Sequence, residues 1–142
     1  VNINTKSYTN SFLEFDKDVS KSWKHEKFEN LYKEEVKMQK LTDFVKENKI
    51  PRINVLKLDV QGYESRVLNG AGNLLKDNLV DLILLEVIII PTYKNQSRVS
   101  EIFNIFDNYD YSLYGIYDIE KKPKRSRLQQ FDALFFKSSL NL

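Results

Sequence analysis

Apolar residues change their spacing several times along this chain, and each change predicts an element. Residues 53–58, Ile-Asn-Val-Leu-Lys-Leu, are mostly β-branched or leucine, as expected of a parallel strand covered on both faces. Asp59 ends that strand, and Gly62 lets the backbone reverse tightly. From Tyr63 the period becomes helical: Tyr63, Val67 and Ala71 recur every four residues, with Leu68 and Leu75 beside them. Asn69 and Gly70 predict a helix stop, with Gly70 in the left-handed cap position. Residues 82–87 form a second apolar run, broken by Glu86. Val99, Ile102, Phe103 and Phe106 predict a helix that ends in the polar turn 108–110. The aromatic-rich stretches 111–117 and 131–137 predict two final strands.

The first third of the chain carries weaker signals. Phe12, Phe15, Val19 and Trp23 mark one face of a short helix. Residues 35–41 alternate, with Val36, Met38 and Lys40 on one side, which predicts a strand. Leu41, Phe44 and Val45 predict a helix to Asn48, ended by Ile50 and Pro51. The resulting order is helix, strand, helix, strand, helix, strand, strand. That is a single α/β domain over residues 1–142, doubly wound around a mostly parallel sheet and closed by a carboxyl-terminal hairpin whose last strand is antiparallel. Ligands of such sheets sit beyond the carboxyl ends of the strands. Asp59 and Glu86 each fall at such an end, and a carboxylate inside an apolar run is costly unless it is paired or lies at the open edge.

Composition narrows the function. With 42% apolar and 13% aromatic residues among 142, the chain is long and apolar enough for a real core. A net charge of +2 predicts no bulk affinity for nucleic acid or membrane. The chain has no cysteine and one histidine, which excludes disulfides, thiolate metal sites and multi-histidine clusters. That histidine, His25, sits among charges and is expected to be solvated, and Trp23 is expected to be a packing anchor. The longest apolar run, residues 82–90, is too short to span a bilayer. There is no signal-peptide pattern, so the default compartment is the cytoplasm. The opening Val-Asn-Ile-Asn has the character of mid-strand and the one methionine is Met38, so the beginning of the domain is expected to be missing.

Leu56-Lys57-Leu58-Asp59-Val60-Gln61-Gly62-Tyr63-Glu64, followed by Val67-Leu68-Asn69-Gly70-Ala71 and Leu74-Leu75, resembles the signature of FkbM-type methyltransferases. Thr9-Asn10-Ser11-Phe12-Leu13-Glu14-Phe15-Asp16 is similar to that family's serine-rich segment. Leu41-Thr42-Asp43-Phe44 is similar to its Leu-Asp-Asp-Phe segment, with Thr42 where aspartate is usual. Leu85-Glu86-Val87 with Pro91-Thr92-Tyr93-Lys94 is similar to the strand and loop that follow. Asp132-Ala133-Leu134-Phe135 suits the final strand, while Asp110 stands where glycine is usual. The resemblance implies a Rossmann-like methyltransferase fold, S-adenosylmethionine as donor, and a hydroxyl of a sugar, glycolipid or secondary metabolite as acceptor. The four glycines, at 62, 70, 72 and 115, form no Gly-x-Gly loop. The resemblance places that loop, and the acid that holds the ribose, upstream of Val1. The chain is then expected to be the carboxyl-terminal half to two-thirds of the domain, a fragment.

Site roles follow from the resemblance and the topology together. Asp59 is expected to face the methyl and acceptor region as base or metal ligand and to contact the cofactor. Glu86 would orient it or touch the acceptor, and a divalent metal would suit the same chemistry. Alternatively, Asp59 caps the next helix and Glu86 pairs with a lysine or backbone amides. Gln61 is a candidate hydrogen-bond donor to cofactor or substrate, and Tyr63 is expected in the core. Tyr93 either lines the acceptor pocket or covers the sheet edge. The basic loop 121–127 should turn on the ligand side. There Lys124, Arg125 and Arg127 would suit a small-molecule or glycan acceptor bearing phosphate or carboxylate, or else form a solvated hairpin tip. A second functional class stays open: a non-catalytic binding or structural module that keeps the fold without the cofactor loop. A phosphoacceptor receiver domain would need an early acidic pair and a late strand-end lysine, and neither arrangement occurs.

Overall fold

A computed structural model describes residues 1–23, 27–122 and 127–139. The chain opens with β1 (Asn2–Asn4), a 3-10 turn (Ser7–Thr9) and α1 (Val19–Ser22), followed by β2 (Asn30–Lys33). Strands β1 and β2 pair antiparallel as a small ribbon. Then come α2 (Leu41–Glu47), β3 (Ile53–Leu58), α3 (Glu64–Gly70), α4 (Gly72–Lys76) and β4 (Val80–Ile88). The chain continues through α5 (Val99–Asn108), β5 (Tyr111–Lys122) and β6 (Arg127–Lys137).

The main sheet has the order β3-β4-β6-β5. Strand β3 runs parallel to β4, and β6 runs antiparallel to both of its neighbours. Three strands therefore point one way, and the last strand slots between β4 and β5 in the opposite sense, as the helix–strand order predicts. Helices α2 to α5 cover one face. Ile83, Leu85 and Val87 of β4 and Phe131, Ala133 and Phe135 of β6 point into it, against Leu68, Leu75, Ile102 and Phe106. Phe106 stacks on Phe135 with centroids 3.8 Å apart. Arg98 N–H donates to Glu101 at the start of α5 (3.0 Å), half of a capping box.

Several expectations need correction. Strand β3 is not covered on both faces: it is an edge strand among the described residues, with Val55 58% exposed. Its hydrophobic run packs the helix face through Leu58, Leu56 and Ile53, and Val55 projects the other way. Residues 35–40 form no strand and lie exposed. The partner of β1 is instead Asn30–Lys33, whose four exposed residues carry no alternation to read. The helix expected from Phe12 to Trp23 shrinks to α1 because the aromatic residues find separate partners: Phe12 meets Tyr63 (5.2 Å) and Phe15 stacks on Tyr93 (5.5 Å). Helix α3 does stop at Gly70, but without a left-handed glycine there, since Gly62 is the one glycine with positive φ. A second short helix resumes at once, so no reversal is required. Tyr63 is half-buried, lying under Arg66 (4.8 Å) on the surface and not in the core. His25, Lys124 and Arg125 lie outside the described residues.

Candidate functional site

The turn after β3 organises the site. Gln61 (φ +49°) and Gly62 (φ +90°) take successive left-handed conformations, the φ pair of a type I′ turn, which glycine adopts at no steric cost and glutamine does not. Three groups hold it. Ser11 Oγ donates to the Gln61 carbonyl (2.7 Å), and Ser97 Oγ donates to the Gly62 carbonyl (2.9 Å). The Gly62 N–H donates to Glu64 Oε1 (3.1 Å). The strain is thus spread over the amino-terminal segment, α3 and the loop after β4.

That turn aims the Gln61 side chain across the strand ends. Its Nε2 donates to Asp59 Oδ1 (2.9 Å) and to Glu86 Oε2 (2.8 Å), so one amide ties the two acids together. Its Oε1 accepts from the Tyr93 hydroxyl (2.7 Å), and the two carboxylate oxygens on Nε2 set the sense of the amide. Tyr93 is 2% exposed and also reaches the Thr9 carbonyl (3.1 Å). Burial raises its phenol above the usual range, with the charge of Glu86 adding to the effect, so it stays a donor. Gln96 holds the backbone under Tyr93: its Oε1 accepts from the amides of Thr92 and Tyr93 (2.9 Å each), and its Nε2 donates to the carbonyls of Ile88 and Ile90 (3.1 Å each).

Among the described residues Glu86 therefore pairs with neither a lysine nor a backbone amide. Gln61 takes one oxygen and Gln130 Nε2, from β6, takes the other (2.8 Å). Desolvation pushes its carboxyl up to about 7, with the charges of Asp59, Glu64 and Asp132 adding and the Gln61 bond opposing. Asp59 makes no cap on α3. It is half exposed, with Lys57 Nζ at 3.9 Å.

Glu86 also divides two concavities. On one side lies a cavity of about 260 Å³ with aromatic walls from Tyr8, Trp23, Phe28 and Tyr93, together with Gln61, Thr92, Glu120 and Gln130. Trp23 is held there by its Nε1–H bond to Thr92 Oγ1 (2.8 Å). On the other side lies a recess of about 220 Å³ lined by Lys57, Asp59, Asp118, Glu120 and Asp132. Arg127 is exposed at the start of β6 and lines neither. The hairpin that carries it does leave the sheet on the Asp59 and Glu86 side, since β5 runs parallel to β4. Among the described residues no group of three or more His, Cys, Asp or Glu is placed to hold a metal ion. No helix among them is long and apolar enough to cross a membrane.

The raised proton affinity of Glu86 has a consequence for stability. A folded carboxyl that holds its proton more tightly than the unfolded one costs nothing below about 4.5 and destabilises the fold progressively as pH rises through about 7. At 1.36 kcal/mol per unit, and discounted for partial exposure, the loss is about 2 kcal/mol. Glu64 and Asp132, also held above their usual values by burial, contribute with the same sign. Urea unfolding at pH 5 and pH 8 should show lower stability at pH 8, and Glu86→Gln should remove most of the difference. Equal slopes for both proteins would mean that Glu86 is not desolvated.

Sequence reading missed Glu64, Ser11, Gln96 and Gln130. Glu64 stood inside the recognised motif, but nothing in a Tyr-Glu-Ser start to a helix indicates a buried carboxylate. Gln130 entered the site through the placement of β6 beside β4, a pairing that spans 44 residues.

No curated protein and no solved structure matches the chain. A family model does, over residues 1–113, from β1 into β5 and across the whole strand-turn-helix that carries Asp59, Gln61 and Glu64. With most of its length matched, the chain belongs to the methyltransferase FkbM domain family.

Proposed function

We propose that the chain carries the acceptor-binding and proton-accepting part of an S-adenosylmethionine-dependent O-methyltransferase, acting on a hydroxyl of a sugar, glycolipid or related secondary metabolite. The observation that carries this reading is the Gln61 amide bound at once to Asp59 and Glu86 between the aromatic cavity and the acidic recess. Hydroxyl oxygens are poor nucleophiles, and a base with a proton affinity near neutral is the efficient partner. Glu86 suits that role better than Asp59. The acceptor would lie in the cavity, its apolar face on Trp23 and Tyr8, its hydroxyls among Thr92, Gln130 and Glu86.

S-adenosylmethionine supplies an electrophilic methyl on a sulfonium cation. The carboxylates of Asp59, Asp118 and Asp132 fit such a cation. Its adenosine finds no cradle among the described residues: Gly62, the one glycine with positive φ, already has Gln96 Cβ within 3.0 Å of where a Cβ would stand. The outer edge of β3, unpaired among the described residues, and the half-open face carrying Val55, Leu82, Leu84 and Phe136 are where a nucleotide-binding element would dock. With that methyl donor bound, Glu86 would accept the proton of the acceptor hydroxyl. Gln61 holds Glu86 in place, and Asp59 balances positive charge at the ledge.

The test is transfer of labelled methyl from S-adenosylmethionine to a panel of neutral and anionic sugars, using protein expressed from its complete reading frame. Label on a hydroxyl oxygen supports the proposal. Label only on nitrogen or carbon, or no transfer to any acceptor, would reject it, the latter in favour of a binding module.

A further inference from the structure

Glu64 is the least expected charge in the molecule. It is the first residue of α3, 1% exposed, and packed beneath the turn that carries Gln61. Among the described residues no lysine or arginine pairs with it; burial raises its carboxyl, and the Gly62 N–H donated to Oε1 (3.1 Å) and the amides of Val60 and of Glu64 itself oppose that by favouring its charge. A buried carboxylate without a cation is expensive, and a glutamine of the same shape could accept the same N–H. Packing alone does not account for a carboxylate at this position.

We propose that Glu64 is a positioning residue for proton removal at Glu86: its buried carboxylate locks the left-handed Gln61–Gly62 turn, and its negative charge acts on Glu86 without touching the acceptor. The chain of contacts is continuous. Glu64 binds Gly62, the turn sets Gln61, and Gln61 donates to Glu86. The turn has few alternatives, because Gly62 has its N–H on Glu64 and its carbonyl on both the Ser97 hydroxyl (2.9 Å) and the Ser97 amide (2.8 Å). Electrostatically, Glu86 is faced by Lys57 on β3 and Asp59 at its end, Glu64 on α3, Asp118 and Glu120 on β5, Asp132 on β6 and the neutral phenol of Tyr93. Of these acids, Glu64 is the one fully removed from solvent, so its field is the least screened.

This inference rests on the reading of Glu86 as the base, yet it can be tested without turnover. Carboxyl-labelled glutamate NMR would follow the titration of Glu86, and the side-chain amide signals of Gln61 would report the turn. In Glu64→Gln, which can keep the Gly62 bond, the Glu86 midpoint should fall by about half a pH unit, a roughly threefold loss of proton affinity, with the Gln61 amide signals near their wild-type positions. In Glu64→Asp, which keeps the charge but shortens the reach to Gly62, the Gln61 signals should move and the Glu86 midpoint should stay within the same half unit. An unchanged midpoint in Glu64→Gln, or unchanged Gln61 signals in Glu64→Asp, overturns the proposal. If that variant does not fold, wild-type Gln61 signals in Glu64→Asp overturn it and displaced ones support it. Failure of Glu86→Gln to slow methyl transfer would instead reject Glu86 as base and leave these spectra to stand as they fall.

Discussion

Glu86→Gln is expected to lower methyl transfer by ~10²–10⁴-fold, the usual contribution of a positioned general base, with acceptor affinity changed far less. The glutamine keeps the volume and one hydrogen-bond acceptor but has no site for the acceptor's proton. The wild-type rate should rise with pH and level off above about 7, where the burial-raised carboxyl of Glu86 is ionised. The residual rate of the variant should lose that limb. Asp59→Asn should cost less, because Asp59 is half exposed and contributes charge at the ledge without being the proton acceptor. Rate measurements against pH on both variants decide between the two acids. A larger loss in Asp59→Asn, with Glu86→Gln near wild type, would reverse their roles.

Gly62→Ala should destabilise the fold by about 2–6 kcal/mol. One part is conformational: φ of +90° strains any residue with a Cβ by about 1–3 kcal/mol. The other part is steric. The new methyl would meet Gln96 Cβ at 3.0 Å, Tyr93 at 3.2 Å and Leu13 at 3.3 Å, and overpacking of this kind typically costs about 1–3 kcal/mol. The three neighbours come from two segments, the loop after β4 and the amino-terminal stretch, so none can retreat without disturbing the Gln61 bridge or the backbone that holds Tyr93. Urea unfolding would measure the stability loss, and a methyl-transfer assay on the folded fraction should show reduced activity as well. A loss below 0.5 kcal/mol would mean that the turn relaxes freely and is not a rigid support for Gln61.

Both expectations rest on a pair of strand-end acids that can be read from the chain and on contacts that cannot. Asp59 and Glu86 were legible because an acid at the end of an apolar run is conspicuous, and parallel neighbouring strands bring such ends together. Their relative burial was not legible. Strand β3 and strand β4 have similar apolar content, but among the described residues β4 has strands on both sides and β3 has one, so Glu86 is desolvated while Asp59 stays half exposed. The bridge between them depends on Gln61 adopting a backbone conformation that its own side chain disfavours, imposed by Ser11, Ser97 and Glu64 from elsewhere. The aromatic cavity was equally hidden: Tyr8, Trp23, Phe28 and Tyr93 meet across up to 85 residues, and no local spacing records that.

By itself the sequence determined the alternation of helices and strands from residue 41 onward, the antiparallel final strand and the family. Those features follow from local periodicity and from one contiguous motif, which neighbours in the chain suffice to specify. Tertiary structure alone decided which strand lies at the edge, which acid is buried, and that a glutamine joins the two. Burial and hydrogen-bond partnership are set by residues distant in sequence, and they become definite once the sheet is assembled.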